Sequence, residues 1–237
     1  MSTLWRTEQR DVVGSGMDYL AILEDHLGFI ERFYSATAEP FETTMQKIES
    51  NEEPFVPQRA PEDYDGPEYE TEWIEADKCL GVLGNCSLGL LEKALHDYLR
   101  AFVEREGGPD PKKPNGSSKK PNVSWFDRHC RFLEEHTPFC WTNSPVSSDQ
   151  IEQINLSRND ISHDAMIDRT YPQQSEKHFR KYPVSRFAEE WQIKALSGEE
   201  GKPEFPLTLY VTREKLTAAI ADIRRFCTFV EDQRTKW

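Results

Sequence analysis

Between Leu156 and Asp164 the chain reads LSRNDISHD, which places Arg158 beside Asn159 and sets His163 four residues beyond the asparagine. These residue types suit cleavage of a phosphodiester without a metal. A histidine takes up a proton near neutral pH and returns it as an acid. A guanidinium offers a planar fork that matches phosphate oxygens and stabilises negative charge as it builds. The asparagine can orient the imidazole or the attacking hydroxyl. RNA brings its own nucleophile, the 2′-hydroxyl, so this chemistry asks for no serine or cysteine nucleophile, no metal and no cofactor. On a helix, Asn159 and His163 lie one turn apart on the same face, whereas Arg158 stands about 140° around the axis from His163. One copy thus presents His and Asn together, and a second copy across a two-fold axis could complete the site. Taken alone, Arg-x4-His is a weak pattern that reads sooner as a surface salt bridge and a helix-terminal histidine, so the surroundings carry the decision.

Those surroundings read as helices. From Asp18 to about Ser50, Leu20, Leu23, Leu27, Ile30, Tyr34, Ala38, Phe41 and Met45 recur at spacings of three and four, the stripe of a long amphipathic helix, kinked or broken before Pro40. An acidic loop over 51–67, with Pro54, Pro57 and Pro61, follows. A second long helix is expected from about Glu68 to Glu106, with Leu80, Leu83, Leu90, Leu91, Ala94, Leu95, Tyr98, Leu99 and Phe102 on its apolar face. Gly81, Gly84 and Gly89 inside it each cost about 1 kcal/mol against alanine, so they mark close helix approach or a local break.

Residues 107–122 (GGPDPKKPNGSSKKPN from Gly107 onward) form a flexible linker, and a short helix is expected over Trp125 to His136. Ser148 or Asp149 caps a third main helix, which turns Ile151, Ile154 and Ile161 to the core and carries the motif. Residues 164–206 read as an irregular insertion with one short helix at Ser185 to Ser197. Thr212 caps the last helix, whose Leu216, Ala219, Ile220, Ile223, Cys227 and Val230 share a face. The expectation is one all-α domain over 1–237, an up-and-down helical bundle of four to five main helices with long loop insertions.

The chain carries 42 acidic against 29 basic residues, a net charge of −13, which at first argues against a polyanionic substrate. Eleven carboxylates between Glu49 and Asp77 face the single Arg59, so that stretch alone accounts for about −10. No apolar run is long enough to span a bilayer and the first residues are charged, so a cytoplasmic protein is expected, with no membrane partner. The five cysteines have no regular spacing, as expected of reduced, packed thiols.

With the helices in place, the motif resembles that of the HEPN (higher eukaryotes and prokaryotes nucleotide-binding) superfamily, whose mark is Arg, a polar residue that is often Asn, and His after four to six positions near the end of a penultimate bundle helix. LSRNDISHD is similar to the common family form LRN-x-[IL]-[AS]-H, with Ile161 and Ser162 in the expected places. The run TLYVTREKLTAAIADIRRFCTFV resembles the family's closing helix, introduced by a short extended stretch. The resemblance implies a homodimer with two motifs facing one cleft and metal-independent endoribonuclease activity, commonly as a toxin restrained by an antitoxin or as an antiphage defence effector. By that analogy His163 is general base and acid, Arg158 the phosphate ligand and Asn159 the orienting residue. Some members are inactive modules that bind nucleotide, RNA or a protein partner, which is the alternative reading. The stretch from Asp164 to Pro206 is longer than the family's connection.

Two basic segments could track an RNA backbone. Residues 107–131 and 169–186 each carry about +4, and the second interleaves Tyr171, His178, Phe179 and Tyr182 among Lys177, Arg180 and Lys181. Solvated loops explain them equally well. His129, Cys130, His136 and Cys140 are metal-ligand types, but without Cys-x2-Cys spacing they read as core packing. A di-iron bundle needs Glu-x2-His on two helices, and no histidine here has Glu three positions before it.

Overall fold

The computed structural model describes residues 18–58, 67–107, 124–163, 171–197 and 203–234. Among these residues the protein is all-helical, with α1 (Tyr19–Glu49), α2 (Glu70–Arg105), α3 (Trp125–His136), α4 (Ser148–His163), α5 (Glu176–Lys181), α6 (Glu190–Ser197) and α7 (Arg213–Arg234). The centre of the acidic loop (59–66), nearly all of the 107–122 linker, and 164–170 and 198–202 of the insertion lie outside the described residues. No helix among the described residues is long and apolar enough to cross a membrane.

Local chemistry sets the helix ends. Asp18 accepts the Ala21 N–H at 3.0 Å to start α1, and Ser124 with Asp127 forms a reciprocal capping box on α3. Helix α4 is capped one residue earlier than the sequence suggests. Ser147 Oγ accepts the Gln150 N–H (3.3 Å) while Gln150 Oε1 accepts the Ser147 N–H (3.0 Å), so the reciprocal pair sits at 147 and 150.

Helix α1 runs unbroken through Pro40, so of the kink or break expected before it the break does not occur. Proline frees the carbonyl four residues back, that of Ala36, and both residues are exposed, so water can satisfy that group. The buried stripe Leu23, Leu27, Ile30, Tyr34 and Ala38 meanwhile holds α1 along α2. Helix α7 packs against α1, α2 and α4, and α3 lies on α2. One continuous apolar cluster takes in Leu95, Leu99, Phe102, Leu133, Ile151, Ile154, Ile220 and Phe226 from these helices.

The described residues of the insertion hold two short helices, α5 and α6, where one was expected. Residues 207–211 form an extended spine between its halves: on one side Gln174 N donates to Leu207 O (2.9 Å) and Leu209 N to Pro172 O (2.8 Å), and on the other Glu189 N donates to Thr208 O (3.0 Å) and Tyr210 N to Phe187 O (2.8 Å). These bonds form only isolated bridges.

The spine rests on α2 where that helix is smallest. A Cβ at Gly84 would lie 2.2 Å from the Val211 carbonyl oxygen, and one at Gly81 would lie 2.6 Å from the Tyr171 ring. Both glycines therefore mark close approach, and α2 does not break at them; what approaches is extended backbone and a tyrosine, where a neighbouring helix was the expectation. Gly89 differs, since a Cβ there meets nothing within 4 Å. Gly84→Ala should destabilise the protein by about 1–3 kcal/mol through overpacking against backbone. Gly89→Ala should stabilise it by about 0.5–1 kcal/mol through helix propensity alone. Urea denaturation of both variants checks this, and equal midpoints would contradict the packing argument.

Candidate functional site

The inner face of α4 begins apolar, with Ile151 and Ile154 fully buried, then turns polar at Asn155, Ser157 and Asp160. Buried polar groups need partners, because an unmade hydrogen bond there costs about 1–3 kcal/mol. The partners found divide the motif into two flanks.

On the first flank, Asn155 Oδ1 accepts from the Trp125 indole N–H of α3 (3.0 Å) and from the Asn159 amide (3.3 Å). Asn159 Oδ1 in turn accepts from Arg158 Nη1 at 3.2 Å. The Arg158 Nε lies 3.4 Å from Glu92 Oε2 on α2, with the arginine side chain 38% exposed and the glutamate 8%. The guanidinium is thus held at Nε and at Nη1 while its Nη2 has no partner among the described residues. Burial pushes the Glu92 carboxyl above its ordinary value; Arg158 and the Trp125 indole work in the other direction without overcoming it. The His96 ring packs against Trp125 and His129, and burial, then His129, lowers its pKa.

On the second flank, the His178 Nδ1–H of α5 donates to Asp160 Oδ2 at 2.6 Å, with both side chains buried and the His178 Nε2 buried without a partner among the described residues. This contact clamps the insertion onto the motif helix. His163, the last residue of α4, is exposed and lines a cleft of about 380 Å³ with Leu156, Asn159, Asp160, Gln173, Gln174, Ser175 and Lys177.

Asn159 therefore belongs to both flanks: it bonds Arg158 and shares the cleft with His163. Arg158 and His163 themselves diverge, the first toward α2 and the second toward α5, and no hydrogen bond joins them among the described residues. Of the three cations expected to track RNA, Lys177 is exposed in the cleft with no ion pair among the described residues. Arg180 pairs with Glu176 (2.8 Å), and Lys181 binds Glu152 (2.6 Å). His129 and His136 are each turned to the carbonyl four residues back, at 2.8 and 3.2 Å, while Cys130 is buried and Cys140 exposed, so these four share no centre.

Glu92, Trp125, Asn155 and the Asp160–His178 pair were not singled out by sequence. The only visible signal was the spacing of Asn155, Asn159 and His163, a polar row at four-residue intervals on one helix. No family model, curated protein or solved structure matches the chain.

The raised Glu92 pKa gives a test. A carboxyl whose folded value lies above its unfolded one contributes stability below the unfolded value, and that contribution is lost as pH rises through the folded value. Glu92→Gln removes this loss while keeping the shape. The melting temperature of the variant relative to the wild type should thus become more favourable between about pH 4 and pH 7. A difference that is flat, or that runs the other way, would show that the Arg158 pairing outweighs burial.

Proposed function

We propose that this chain is a metal-independent endoribonuclease of the HEPN type, working as a homodimer. His163 acts as general base toward the 2′-hydroxyl and then as acid toward the leaving 5′-oxygen, giving a cyclic phosphate and a free 5′-hydroxyl end. Arg158 grips the scissile phosphate and Asn159 orients the groups beside it. The observation that carries this reading is the state of the motif: Arg158 is braced at Nε by Glu92 and at Nη1 by Asn159, and His163 stands solvent-facing at the mouth of a cleft. A residue serving only to end a helix would need neither the brace nor the cleft. The divergence of Arg158 and His163 within one chain supports a site shared between two copies. On this reading the protein is a cytoplasmic toxin or antiphage defence effector restrained by an antitoxin or other regulatory protein.

The second reading is a HEPN-like module that binds nucleotide, RNA or a protein partner without cutting. Its support is the same Glu92 contact, which already neutralises part of the Arg158 charge. An RNase assay in excess EDTA separates the two. The nuclease reading expects cleavage that persists with chelator, falls by about 10²–10⁴-fold in His163→Ala and by about 10²–10³-fold in Arg158→Ala. Pure wild-type protein that cuts no RNA, or activity indifferent to His163→Ala, would favour the module.

A further inference from the structure

The cleft between α4 and α5 has walls whose hydrogen-bonding capacity is mostly spent. Gln174 uses its amide on backbone, donating to Tyr182 O (2.9 Å) and accepting from Leu207 N (3.2 Å). Ser175 Oγ accepts the His178 N–H at 3.3 Å, and Asp160 is held by the buried His178 imidazole. Asn159 is tied to Arg158 and Asn155. Two lining groups remain uncommitted among the described residues, the His163 imidazole and the Lys177 ammonium, both exposed. Among the described residues of the wall the single carboxylate, Asp160, already has its partner, so they offer donors and positive charge to an incoming ligand, in a chain whose overall charge is strongly negative.

The neighbouring surface sharpens the contrast. Lys177 and Leu156 also form the rim of a second hollow of about 600 Å³, where Glu152, Glu176, Arg180 and Lys181 complete the lining. There the charges cancel in the pairs Lys181–Glu152 and Arg180–Glu176. Unbalanced positive charge is thus concentrated at Lys177 and at the cleft it faces. A volume of about 380 Å³ lies at the small end of the range of about 300–1,000 Å³ that holds one small ligand.

We infer that this cleft is a nucleotide subsite, taking the one nucleotide of single-stranded RNA that adjoins the scissile phosphate. Lys177 holds its phosphate and Leu156 meets the face of its base. The inference rests on the nuclease reading for the role of His163, which stands where the bound nucleotide would meet the reacting phosphate. An RNA strand is favoured over a free nucleotide because the cleft continues over Lys177 into the second hollow, giving a chain a path onward. Arg180 and Lys181, spent in ion pairs, take no part.

The test is fluorescence anisotropy with a labelled RNA hexamer made uncuttable by 2′-deoxy substitution, titrated into the full-length protein at several salt concentrations. Lys177→Gln should weaken binding at least about fivefold and flatten the salt dependence by about 0.7 of a log unit per log unit, the loss of one phosphate contact to a single strand. Lys194→Gln, the same charge change on exposed α6 away from the cleft, should stay within about twofold. Tight binding unaffected by Lys177→Gln overturns the subsite and leaves the nuclease reading standing. Binding that depends on Lys177 in a protein that cuts no natural RNA keeps the subsite and removes the nuclease. A nucleoside monophosphate that competes as well as the hexamer assigns the cleft to a free nucleotide and overturns the RNA assignment, and a wild type that neither binds nor cleaves RNA removes both.

Discussion

A row of polar side chains turned into the interior of α4 is the constraint on which the site depends. Asn155, Ser157 and Asp160 are buried, and each would carry a desolvation cost of a few kcal/mol if left unpaired. Each finds its partner on a different element: Trp125 on α3, Ser185 in the turn before α6, and His178 on α5. The row thereby draws three separate parts of the chain onto one helix. Asn159 and Arg158 are ordered as extensions of the same network, through Asn155 on one side and Glu92 on the other. A guanidinium fixed in this way loses less freedom on gripping an anion than a free surface arginine.

The helices were legible because their apolar spacing is regular and long. The stripe of α1 and the faces of α2, α3 and α7 follow from periodicity, and most caps follow from Ser, Thr or Asp at the right place. Pro40 misled because the pattern records only a missing donor, while the exposure of the freed Ala36 carbonyl and the burial of Tyr34 and Ala38 decide whether the helix tolerates it. Gly81 and Gly84 signalled close approach correctly, but nothing in one sequence says what approaches. Helix α5 was missed since EKHFRK is too short and too polar to show a period.

The candidate site was legible in part. Arg158, Asn159 and His163 are close in sequence and needed only a helix to place them, and the angular divergence of arginine and histidine follows from the pitch of that helix. Glu92 was illegible, as it is one carboxylate among many on α2 and meets Arg158 only through tertiary packing. Likewise His178 read as one member of a basic, aromatic stretch, and only the fold turns it inward to Asp160. The three expected RNA cations separated for the same reason, since their partners Glu176 and Glu152 are set by helix register and by contact across the fold.

Sharing of the site between two copies is the claim that gathers these observations, because one chain sends Arg158 and His163 to different sides of α4. Mixing inactive Arg158→Ala protein with inactive His163→Ala protein, after subunit exchange, tests it directly. If each site takes its arginine from one copy and its histidine from the other, about half of the dimers carry one intact site, and about a quarter of wild-type cleavage returns. A mixture that exchanges subunits and stays inactive contradicts the shared site.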